Sequence, residues 1–140
     1  MRPADRAGPR RWGLVPAAVL VLSGLAAGCS SSKPAYCTDA SQLKTSVQDL
    51  GNVDVAKNGL GSLQTALSTV QADAKTFATD AKSAFPSQTA ALNTALSGLQ
   101  TAITSAKGQP SVTAAAAVAS SVTQVKNSAS DLQNAISGNC

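Results

Sequence analysis

Apolar positions recur along this chain at helical spacing. Leu43, Val47 and Leu50 form a first stripe, and Leu60, Leu63, Leu67, Val70, Ala74, Phe77 and Ala81 a second. Leu92, Leu96, Leu99 and Ile103 form a third; Val118, Val122, Val125, Ala129, Leu132 and Ile136 form a fourth. Steps that alternate between three and four residues lay one apolar line along one face of an α-helix. No segment alternates with period two for long enough to propose a strand, so the pattern predicts an all-α fold.

Punctuation between the stripes sets their order. Thr38 or Asp39 is a plausible N-cap for the first helix, and Gly51-Asn52 stops it. Phe85-Pro86 breaks the second helix and starts the third, because proline disfavours helical geometry before it and suits a first turn. Gly108-Gln109-Pro110 ends the third helix, Ser111 caps the fourth, and Gly138 closes it. Short connections predict an antiparallel up-down bundle of four helices. The first helix is short, about 12 residues or roughly 18 Å, against about 27 residues or roughly 40 Å for the fourth. The mismatch predicts an irregular segment over 51–59; the stretch Gly51–Gly61, with three glycines, reads equally as loop or weak helix.

The amino end reads differently. Arg2, Arg6, Arg10 and Arg11 precede an uncharged apolar run from Leu14 to about Leu25, followed by Ala26-Ala27-Gly28-Cys29. A basic start, an apolar core and small residues are the layout of an export signal. Leu14–Gly28 is shorter than the roughly 20 apolar residues of a membrane-spanning helix. Leu25-Ala26-Ala27-Gly28-Cys29 resembles the lipobox of bacterial lipoprotein signal peptides. The alternatives are a plain secretory signal with an incidental cysteine and a retained anchor helix. The polar run Ser30-Ser31-Ser32-Lys33-Pro34 favours a lipid-anchored tether. Arg10-Arg11 leaves the Sec and twin-arginine routes both open. The expected organisation is a lipoprotein signal peptide over 1–28, a flexible tether over 29–37 and a helical bundle over 38–140.

Export changes what the remaining cysteines mean. With Cys29 lipidated, Cys37 and Cys140 stand at the two ends of the folded region, where an oxidising compartment makes a disulfide the default over free thiols or an intermolecular bridge. In an up-down bundle the two chain ends share one end of the molecule only when the helix count is even, so a terminal bridge argues for four helices.

The formal charge of +4 belongs largely to the leader. Beyond residue 28 there are seven lysines and six aspartates, with no arginine, glutamate or histidine. Such a balance offers no electrostatic footprint for nucleic acid. Without His and Glu, Ser/His/Asp and Cys/His nucleophile arrangements are excluded, and so are zinc sites built on histidine. No catalytic residue, cofactor or metal site is expected, and the protein reads as a non-enzyme. Asp73 and Asp80 share a helix face and could hold a cation, although a solvated face explains them more simply. Asn52 and Asp54 offer oxygen ligands without EF-hand spacing. Tyr36, Phe77 and Phe85 are the bulky groups able to line a pocket or patch, with Phe85 expected exposed at a bundle end. The run Ala114–Ala117 is expected to give helix propensity and close packing. No aspartate is expected to precede a lysine by three or four residues on one helix, so intrahelical ion pairs contribute little.

The Arg-rich start, the run Leu25-Ala26-Ala27-Gly28-Cys29-Ser30-Ser31-Ser32 and the Ala/Ser/Thr-rich helical remainder together resemble small cell-envelope lipoproteins of high-GC actinobacteria. The stretch around Val47-Gln48-Asp49-Leu50-Gly51-Asn52-Val53-Asp54-Val55 is similar to helical secreted proteins of that kind. The resemblance implies attachment to the extracytoplasmic face of the cell membrane through lipid on Cys29, and no activity. Two functions are consistent with it. One is a non-catalytic binding or structural module whose partner is an envelope protein or cell-wall material. The other is a carrier or sensor of an apolar small molecule or lipid held between the helices.

Overall fold

The structure, a computed structural model, describes residues 33–140. Four α-helices follow in order: α1 Ala35–Gly51, α2 Val55–Ala81, α3 Pro86–Gly108 and α4 Val112–Ser137. Each packs on its neighbours in sequence, and α1 also packs on α4; the backbones of the diagonal pairs stay farther apart. This is the expected four-helix up-down bundle. Its core takes the predicted stripes, with Leu43, Leu50, Leu63, Leu67, Phe77, Leu92, Leu99, Ile103 and Leu132 fully buried. Cys37 and Cys140 are joined, their Cα atoms 5.8 Å apart. The first and last helices thus meet at one end, as the parity argument requires.

Capping chemistry is partly as the sequence suggests. The Ser111 side chain accepts a hydrogen bond from the Ala114 N–H, and Pro86 opens α3. The start of α1 differs. Neither Thr38 nor Asp39 caps it; the helix begins at Ala35 behind Pro34, with no side-chain cap. The expected tether over 29–37 is therefore too long at its carboxyl end. Ala35, Tyr36 and Cys37 are helical because they have packing partners: Cys37 is bridged and the Tyr36 ring sits edge-on to Phe85, with centroids 5.5 Å apart. The same contact buries Phe85, which is only 8% exposed and not the exposed aromatic expected.

The segment after α1 is short and bent. Asp54 caps α2, accepting from the Lys57 N–H at 3.1 Å, and its other oxygen lies 3.3 Å from the Lys57 ammonium. This acid-first pair corrects the expectation that none exists. Both side chains are well exposed, 82% for lysine and 43% for aspartate, so the pair adds little. One turn later the helix breaks at Gly59, with φ 74° and ψ 173°. That backbone region is open essentially only to glycine. Gly59→Ala is expected to cost about 1–3 kcal/mol, although nothing lies within 4 Å of the added methyl. Gly61→Ala, also in open space but in helical backbone, should gain about 0.5–1 kcal/mol. Urea unfolding of the two variants checks the opposite signs.

Outside the core, serine and threonine side chains fold back on their own helices. Thr65, Thr79, Thr94, Thr101 and Thr123, among others, donate to the carbonyl four residues earlier. These bonds satisfy the hydroxyls within their own helices.

Candidate functional site

Unequal helix lengths leave a cleft at one end of the bundle. At 1.5 Å per residue, the 17 residues of α1 span about 25 Å and the 26 of α4 about 39 Å. The helices are level at the disulfide end, so α1 runs out first at the other. Its last residue, Gly51, lies against Lys126 in the middle of α4: a Cβ there would stand 3.2 Å from the Lys126 Cδ. The α4 face from Ser111 to Thr123 is left without a helix across it.

That gap is an apolar cleft of about 480 Å³. One wall is a single face of α4, made by Ser111, Ala115, Val118, Ala119, Val122 and Thr123, with Lys126 at its inner end. The facing wall comes from the bent link and the start of α2: Val53, Val55, Leu60 and Leu63. Leu50 and Ala106 contribute from the ends of α1 and α3. Leu60 and Val122, both members of predicted stripes, are only half-buried because they face this space. Ala115, Ala116 and Ala117 are exposed, where close packing was expected; of the three, Ala115 faces the cleft. None of Tyr36, Phe77 and Phe85 lines the cleft; Phe77 lies in the core.

The aspartates fall elsewhere. Asp73 does not belong to a solvated face: it is half-buried on the α1–α2 seam and accepts a hydrogen bond from the buried Ser46 hydroxyl. Asp39, which carries no signal in the sequence beyond a cap, faces Asp80 and Asp73 across that seam. Its Oδ2 atom is buried without a partner. Burial, then a hydrogen bond that Asp39 can share with Asp80 only when protonated, then the negative charge of Asp80 and Asp73, raise its pKa above 3.8. No group of three such side chains among the described residues is placed to hold a metal ion. Asp54 is occupied by the α2 cap.

A carboxyl whose pKa rises on folding favours the native state when protonated. That stabilisation is complete below pH 3.8 and disappears as pH climbs through the raised value. At neutral pH the ionised Asp39 therefore opposes folding. Asp39→Asn is expected to raise Tm at pH 7, and its advantage over the parent should shrink as pH falls toward about 4. Paired thermal melts across that range check it.

Cys29, the expected lipidation site, lies outside the described residues, as does the signal peptide expected over 1–28. Among the described residues no helix is long and apolar enough to cross a membrane. Comparison of the chain with family models, curated proteins and solved structures finds no match.

Proposed function

We propose that this protein is a lipid-anchored, extracytoplasmic, non-catalytic binding module, and that its cleft receives an apolar small molecule or lipid. The observation that carries the reading is the cleft itself. A volume of about 480 Å³, lined by valine, leucine and alanine, falls in the range of small-molecule sites, roughly 300–1,000 Å³. Filling it with hydrocarbon is favourable by about 0.8 kcal/mol per methylene removed from water. This favours the carrier or sensor over a module that only contacts an envelope protein or cell-wall material.

Anchoring follows from the lipobox-like run ending at Cys29. The chain enters α1 at the disulfide end, and the cleft lies at the opposite end.

Two variants test the two halves of the proposal. Cys29→Ala is expected to incorporate no labelled fatty acid and to leave the membrane fraction. Ala119→Trp places an indole in the cleft from an exposed helical position, so folding should persist while binding of the apolar dye Nile red is lost. Unchanged membrane partition in the first, or unchanged dye binding in the second, would remove the corresponding half.

A further inference from the structure

We propose that the ligand is an anionic single-chain amphiphile, a fatty-acid carboxylate, with its tail in the cleft and its head at Lys126. This rests on the cleft being a ligand site and adds the chemistry of the occupant. Lys126 stands where the apolar cleft meets a second groove of about 280 Å³ on the α1–α4 seam. Val47 and Ala129 give that groove an apolar floor, and Lys44, Gln48, Ser130 and Asn134 offer polar groups beside Lys126. Tail and head environments therefore adjoin, with a lysine at the junction.

Charge complementarity fixes the sign of the head. Lys126 makes no ion pair among the described residues, and neither does Lys44 in the adjoining groove. Of the acids on the same two helices, Asp39 sits on the α1–α2 seam, Asp131 lines a groove between α3 and α4, and the exposed Asp49 forms no ion pair. An ammonium without a carboxylate partner, at the inner end of an apolar trough, matches a carboxylate on a hydrocarbon chain. Size limits the tail to one chain. A methylene occupies about the volume of a water molecule, roughly 30 Å³, so the cleft holds on the order of sixteen and cannot hold a pair of long chains.

Calorimetric titration of the oxidised protein with laurate and with 1-dodecanol, chains of equal length, separates head from tail. At pH 8 laurate is expected to bind about ten-fold tighter, the worth of one charge-assisted contact. Lys126→Gln should erase that preference, weakening laurate far more than dodecanol; Lys126 is exposed, so folding is not at stake. Equal affinities in the parent, or a Lys126→Gln variant that weakens both ligands alike, overturns the assignment of the head while the cleft stands. If neither compound binds, the cleft reading fails and this inference fails with it.

Discussion

Reducing the Cys37–Cys140 bridge lowers the stability of the bundle by about 4–5 kcal/mol. The bridge spans 103 residues of sequence, so it closes nearly the whole folded region into one loop. In the chain-entropy treatment, a loop of that length removes more freedom from the unfolded chain than a short one. The folded state loses comparatively little when the bridge is opened. Cys37 heads a helix that packs on both α2 and α4, and Tyr36 beside it holds Phe85. Urea titrations of the oxidised protein and of the Cys37→Ser/Cys140→Ser variant measure the difference. The m-value should rise in the variant, because an unbridged chain exposes more surface on unfolding. A loss below about 1 kcal/mol would mean that the staple is incidental to the fold.

Phe77→Ala destabilises the bundle by about 3–5 kcal/mol. Phe77 has no exposed surface and is the largest fully buried side chain. Apart from Phe85, which is held edge-on against Tyr36, the rest of the hydrophobic core is almost all Leu, Val, Ile and Ala. Alanines already bring the helices close, and close-packed backbones relax little toward a cavity. Val112→Ser provides the contrast. Val112 is 88% exposed at the start of α4, and the change should fall within about 0.5 kcal/mol. Equal effects at the two positions would contradict the packing described for α2.

Much of this architecture was legible from spacing alone. The three-and-four steps identify the buried face of each helix, and Pro86 and Ser111 mark two of the starts because their backbone and capping chemistry is local. The start of α1 was not legible, because it is set by tertiary partners. Pro34 offers no side-chain cap, and Ala35–Cys37 are held by the bridge and by Phe85, fifty residues away in the chain. Asp39 looked like a cap for the same reason; only the packing of α1 on α2 shows that it faces Asp80. The cleft is a property of register. Sequence reveals that the first helix is shorter than the fourth, but which face of α4 is left bare depends on where Gly51 meets Lys126 and on the turn that Gly59 introduces. Lys126 is one of seven lysines in the chain until that register is known.

Native mass spectrometry of the oxidised protein, released from membranes in mild detergent, tests the central claim most directly. The account predicts one non-covalent adduct with the mass of a single-chain amphiphile, beyond any acyl groups bonded to Cys29, and its absence from Ala119→Trp. Protein that carries no adduct, or an adduct that persists when the cleft is filled, contradicts it.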